Sequence, residues 1–155
     1  MLSISSRALF QVLILTGVMM LHGILVAYAA TVPAEKPGHR LAPCPSSPNC
    51  VSTQGNSEQH AIAPYRYRKT LPEAKAILKQ VLSERRRTKL VDEGGEYLRY
   101  ECTSLLFRFV DDVEFRFDDQ AKIIHFRSAS RVGYSDLGVN RNRMEEIRGL
   151  LEGKL

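Results

Sequence analysis

From Thr70 onward the spacing of apolar residues changes twice. Ala74, Ile77, Leu78, Val81 and Leu82 stand at i, i+3, i+4, i+7 and i+8, the single apolar stripe of a helix. Thr70-Leu71-Pro72-Glu73 just before them is a capping box with proline in the first turn. The predicted helix covers about 71–87, with Arg85, Arg86 and Arg87 at its C-terminal end, where cations suit the helix dipole. The period then falls to two. Leu90 and Val91 precede a turn at Gly94-Gly95, and Leu98, Tyr100 and Cys102 alternate with Arg99 and Glu101. Leu105, Phe107 and Phe109 follow around Arg108, then Val113, Phe115 and Phe117 alternate with Glu114, Arg116 and Asp118. Ile124 and Phe126 alternate with His125 and Arg127. Each run reads as a strand with one buried face, and the short connections imply an antiparallel meander. Met144, Ile147, Leu150 and Leu151 restore the helical period over about 141–152. The expected fold is α+β: a meander of about four strands with both helices on one face.

Upstream, the pattern is of another kind. Ala8–Ala30 carries no charged residue and ends in "AYAA", with Ala27 and Ala29 in a small-x-small arrangement. Residues 1–29 therefore read as a secretory signal peptide or as an uncleaved N-terminal membrane anchor. Both place the rest of the chain on the exported side: periplasmic, or anchored at the outer side of the inner membrane. Five prolines (Pro33, Pro37, Pro43, Pro45 and Pro48) mark 30–48 as an extended linker, leaving 49–155 as one domain. Removing Met1–Ala29 takes away one arginine and no acid, so the formal charge falls from +5 to +4. The charge is mild and contains no lysine run, which speaks against nucleic acid and leaves an anionic membrane surface or ligand open.

Export directs attention to the cysteines. Cys44 and Cys50 enclose "PSSPN", a turn-forming loop, and are the expected disulfide; Cys102 is expected as a buried thiol beside Leu98 and Tyr100. A Cys50–Cys102 bridge is the rival pairing. No His-x-x-x-His or Cys-x-x-Cys spacing, Gly-x-Ser-x-Gly elbow or phosphate loop occurs, so neither metal nor cofactor is expected.

Two polar groupings remain. Asp111 and Asp112 are adjacent on a strand and so point to opposite faces. A four-residue connection at Asp118–Ala121 predicts a register in which Phe115 faces Ile124, Glu114 faces His125 and Asp112 faces Arg127. The stretch "FRSASRVGYSDLGVNRNRMEEIR" sets Arg127, Arg131, Arg141 and Arg143 around Gly133 and Gly138, with Asn140 as the expected helix N-cap. Arg141 and Arg143 then fall in the first helical turn, against the dipole preference. Converging guanidiniums, free N–H groups and the positive helix end would make an anion site. Its candidate ligands are Ser128, Ser130, Arg131, Tyr134, Asn140, Arg141 and Arg143. The competing reading is an internal scaffold in which Asp112, Asp136, Glu145 and Glu146 neutralise the arginines.

"CPSSPNCVST" (Cys44–Thr53), "FRFVDDVEF" (Phe107–Phe115) and "RSASRVGYSDLGVNRNRMEEIR" (Arg127–Arg148) together resemble domain-of-unknown-function family 1499. The matching residues are Cys44, Pro48, Asn49, Cys50, Asp111, Asp112, Arg127, Ser128, Ser130, Arg131, Gly133, Asp136, Gly138, Asn140 and Arg141. The resemblance implies a small exported or organelle-targeted domain and implies no activity.

The leading expectation is a non-catalytic exported domain that binds an anionic small molecule, lipid head group or envelope polymer through Arg127–Arg143. The alternatives are an assembly partner in an envelope protein complex, and a hydrolase using Asp111 or Asp112. Membrane contact is expected through the N-terminal segment.

Overall fold

Residues 40–155 are described in the computed structural model. The signal-or-anchor segment and the linker up to 39 lie outside the described residues. Helix α1 is Leu71–Ser83; its entry is fixed by Glu73, whose carboxylate accepts the Thr70 N–H at 3.0 Å and the Thr70 hydroxyl at 2.7 Å. It ends with the apolar stripe, a turn before the expected end at 87. The Ser83 hydroxyl donates back to the Gln80 carbonyl at 2.7 Å, and Arg87 takes a left-handed φ of 57°. Arg85, Arg86 and Arg87 thus form the connection to the sheet and not the last helical turn.

Among the described residues six strands make the sheet: β1 (Cys50–Ser52), β2 (Tyr65–Arg66), β3 (Thr88–Gly94), β4 (Tyr97–Thr103), β5 (Val110–Asp118) and β6 (Ile123–Ser130). β3 to β6 form the expected antiparallel meander, in the order β6-β5-β4-β3. Two short strands, β1 and β2, share the outer edge of β6, against Arg127–Ala129 and Ile123–Ile124 respectively. The opposite edge is β3, which carries a bulge between Leu90 and Asp92. Helix α2 (Val139–Leu151) follows the sheet.

Alternation along β4, β5 and β6 buries Leu98, Tyr100, Val113, Phe115, Phe117, Ile124 and Phe126 on one face. Ala74, Leu78, Val81 and Leu82 of α1 and Met144, Ile147 and Leu151 of α2 cover that face and complete one core. Tyr65 joins it with its hydroxyl donating to the Met144 carbonyl at 2.7 Å, which ties β2 to α2. The other face is polar and lies open, with Arg99, Asp112, Glu114, Arg116 and Arg127 along it.

Two expectations fail. Leu105, Phe107 and Phe109 do not form a strand. β4 ends at Thr103, which pairs with Val110, and residues 104–109 are the tip of the hairpin. Ser104 closes it from both sides, donating its N–H to the Phe109 carbonyl at 2.8 Å and accepting the Phe109 N–H on its hydroxyl at 2.9 Å. The period-two spacing there arises in a loop whose side chains face water. The β5–β6 register also differs, by two residues. Phe115 faces Phe126, Glu114 faces Arg127, Arg116 faces His125 and Asp112 faces Ala129. The connection is Asp119–Lys122, set by the Asp118 carboxylate accepting the Ala121 N–H at 2.9 Å and by a left-handed Lys122 at φ 55°. A slip of two residues leaves every side chain on its own face, so hydrophobic alternation cannot distinguish these registers; the turn does.

The contrast between sheet and tip is measurable. Phe115→Ala should cost about 3–5 kcal/mol in a urea titration, the usual penalty for emptying a fully buried phenylalanine site. Phe107→Ala should change stability by less than about 0.5 kcal/mol, because its ring lies outside the core.

Candidate functional site

The three sequence motifs, far apart in the chain, meet at one end of the sheet. The Cys44–Cys50 disulfide, with Cα atoms 5.7 Å apart, folds the incoming arm back at the start of β1. The Asn49 carbonyl accepts the Ser130 N–H at 3.0 Å, and the Asn49 amide donates to the Gly133 carbonyl at 2.6 Å. This end therefore joins the arm, the β4–β5 tip, the loop after β6 and the start of α2. The contacts reach back to Leu41, a buried residue whose N–H donates to Gln54 Oε1 at 2.8 Å.

Asn140 is the hub. It is fully buried, and its Oδ1 accepts from the Ser128 hydroxyl at 2.6 Å and from Arg143 Nη1 at 2.8 Å. Its Nδ2 lies within donating distance of Asp136 Oδ2 (2.8 Å), Ser130 Oγ (3.0 Å) and the Asn49 carbonyl (3.1 Å). It is not the helix N-cap. That position is Gly138, at φ 80°, and the anion at the helix start is Asp136, which accepts the N–H groups of Gly138 and Asn140. A carboxylate just outside the first turn gives the positive helix end the partner it favours. Arg143 runs inward from the same turn to the buried Asp111 carboxylate and also donates to Ser128 Oγ at 3.0 Å.

The candidate ligands consequently divide. Ser128, Ser130, Asn140 and Arg143 come together, but in a largely buried network completed by Asn49, Asp111 and Asp136. Arg131 turns to the open face, where its fork grips Asp112 at 2.8 Å through both Nε and Nη2, and Nη2 also reaches Glu101 at 2.5 Å. Those hydrogen bonds hold the Asp112 carboxyl below the usual aspartate range. Arg127 pairs with Glu114 at 3.3 Å and not with Asp112. Arg141 donates to the Gln59 carbonyl at 2.9 Å, and Tyr134 projects into solvent. Asp111 and Asp112 do lie on opposite faces, each gripped by its own arginine.

Beside this network lies an open cleft of about 800 Å³ between the exit of α1 and the outer side of α2. Arg85, Arg86 and Arg87 form one wall, and Leu105, Val139 and Leu150 form an apolar lip. Leu150, expected in the core, is turned out to this lip. Arg85 is paired with Glu146 at 2.8 Å, and Arg87 Nε donates to the Thr103 carbonyl at 3.2 Å. Arg86 is exposed and has no ion pair or hydrogen bond among the described residues. Cys102 lies at the base as a buried free thiol; burial pushes its pKa up, so it stays protonated at neutral pH. Among the described residues no group of three His, Cys, Asp or Glu side chains is placed to hold a metal ion. Sequence reasoning missed both cleft and tip. No local signal marked the tip: "SLLFRF" holds none of the Gly, Pro, Asn or Asp that hairpin tips ordinarily use.

Arg143→Ala strands a buried carboxylate and should cost about 3–5 kcal/mol by chemical denaturation, whereas Arg141→Ala, losing one bond to a carbonyl, should cost about 1 kcal/mol or less. Asp112 gives a pH signature. Its pKa is depressed in the folded state, so its pairing stabilises the fold above the ordinary aspartate pKa and is lost as pH falls through the folded value. Thermal melts of wild type and Arg131→Gln should therefore differ at neutral pH and converge in strong acid.

Compared with known proteins, the chain matches no curated protein and no solved structure. One protein family matches, described as "Protein of unknown function (DUF1499)", over residues 40–151. That span takes in the disulfide arm, the hairpin tip, the Asn140 network and nearly all of α2, and the chain accordingly belongs to the DUF1499 family.

Proposed function

We propose that this domain is a non-catalytic binding module that takes up the head of an anionic amphiphile in the cleft between α1 and α2. The observation that carries this reading is the composition of the cleft: a wall of three consecutive arginines meets an apolar lip of Leu105, Val139 and Leu150. An anionic head placed against Arg86 and Arg87 leaves its hydrocarbon part beside the lip, so both halves of the ligand find a partner. Arg86 is the leading ligand, since it answers to no carboxylate among the described residues. This relocates anion binding from the Arg127–Arg143 loop, whose guanidiniums already have protein acceptors.

The Cys44–Cys50 bridge fits an oxidising compartment. With the uncharged stretch at 8–30, it supports a place on the exported side, in the periplasm or at the outer side of the inner membrane. A hydrolase reading has less support, because Asp111 and Asp112 are each engaged by an arginine and lie on opposite faces of the sheet.

Thermal-shift titration with decyl phosphate, inorganic phosphate and decyl maltoside tests the reading. Decyl phosphate below its micellar concentration should raise the melting temperature. At 100 times Kd the stabilisation is about 2.7 kcal/mol. Inorganic phosphate and the neutral maltoside should do much less, and Arg86→Gln/Arg87→Gln should abolish the decyl phosphate response. Identical responses of wild type and double variant to all three compounds would sink the assignment.

A further inference from the structure

The β4–β5 tip has a build that a turn facing only water does not need. Leu105, Leu106, Phe107 and Phe109 are 73%, 78%, 70% and 51% exposed. Ser104 and Phe109 are hydrogen-bonded to each other in both directions, the Phe107 and Phe109 rings stack with centroids 5.6 Å apart, and Arg108 between them holds a left-handed φ of 56°. An uncommon backbone conformation at Arg108 thus accompanies the outward apolar side chains. The neighbouring loop does the same. It leaves β6 beside the tip, with the Arg131 N–H donating to the Val110 carbonyl at 3.1 Å. It then exposes Val132, Tyr134 and Leu137, the last 91% exposed and also left-handed, at φ 53°.

Cations surround this apolar crown. Arg87 is joined to the base of the tip, its carbonyl accepting the Thr103 N–H at 2.9 Å, and Arg86 precedes it in the same connection. Arg108 stands within the tip itself. None of these three arginines has a carboxylate partner among the described residues. Projecting apolar side chains with arginines interspersed complement a layered partner, with anions at its surface and hydrocarbon beneath. A protein partner would have to offer a matching hollow for these convex side chains, whereas a bilayer needs none.

We propose that the 104–109 tip, flanked by 132–137, inserts into the outer layer of an anionic lipid bilayer, with Arg86, Arg87 and Arg108 on the lipid phosphates. This surface shares Arg86, Arg87 and Leu105 with the rim of the cleft, but the outward Leu106, Phe107 and Phe109 and the cation Arg108 belong to the tip alone.

The chain contains no tryptophan, so Phe107→Trp in the full-length protein gives a single local reporter. Vesicles rich in phosphatidylglycerol should shift its emission to the blue, and lipids brominated in the upper acyl chain should quench it. Phosphatidylcholine vesicles should act more weakly. Adding Arg86→Gln/Arg108→Gln should raise the lipid concentration for half-maximal response about 30-fold at low salt, from about 1 kcal/mol per arginine. The signal is local, so attachment of the chain through another segment does not mimic it. The proposal is overturned if the reporter's emission stays red-shifted and unquenched while the protein sediments with the vesicles. A blue shift that needs no vesicles and grows with protein concentration would overturn it too, assigning the tip to a second copy of the chain. An unchanged midpoint in the arginine variant would remove the electrostatic half of the proposal. Failure here with a positive decyl phosphate titration would leave the cleft reading intact, and the reverse would leave the tip.

Discussion

A buried aspartate facing a helix that has no acid in its first turn would be costly unless something met its charge, and Arg143 meets it. The Asp111–Arg143 pair joins the start of β5 to the first turns of α2, in a place where water does not solvate either partner well. Such a pair adds little net stability over an apolar contact of the same shape, but breaking it is expensive. Its effect is to fix which turn of α2 meets which strand. Asn140 extends that constraint sideways to Ser128 and Ser130 on β6 and to Asn49 on the disulfide arm. Through this one network four segments, the disulfide arm, β5, β6 and α2, are held in a single arrangement.

That arrangement explains the loop of arginines differently from a ligand site. Arg141 in the first helical turn, and Arg143 just beyond it, are tolerated because Asp136 supplies the negative charge from just outside that turn. The arginines are then free to serve as links: Arg143 to the sheet interior, Arg141 to the Gln59 carbonyl, Arg131 to the polar face. With the loop occupied in building, the accessible surface of this end belongs to side chains that build nothing, namely Arg86, Arg108 and the apolar residues of the tip.

The helices and the strands β4, β5 and β6 were legible because each buries one face of a regular period. The disulfide and the reduced Cys102 were legible from local turn chemistry and from the place of Cys102 among alternating apolar residues. The β5–β6 register was not, because Phe115 meets a buried neighbour on β6 at either offset. Only the Asp118 bond to Ala121 and the left-handed Lys122 choose between them. Of the seven residues named for the loop, four lie together and three, Arg131, Tyr134 and Arg141, point elsewhere. Ser128, Ser130, Asn140 and Arg143 do assemble, yet whether a guanidinium turns inward or outward depends on strands and helices that pack from elsewhere in the chain. Leu105, Phe107 and Phe109 misled for the opposite reason: three alternating apolar residues fit a strand in any context, including a six-residue tip.

The two sheet edges carry one more implication, for self-association. An open strand edge invites the next molecule to add its own strand, which is the route to uncontrolled aggregation. Here β6 is shielded piecewise by β1 and β2. The free edge, β3, is interrupted by its bulge at Leu90–Asp92, and Lys75 reaches across to occupy the Gly94 and Gly95 carbonyls at 2.8 and 3.0 Å. Neither flank offers a continuous ladder. Among the described residues both edges are therefore poor templates for an added strand, so the exposed apolar surface at the end of the domain sits on a sheet whose own backbone disfavours edge-to-edge growth.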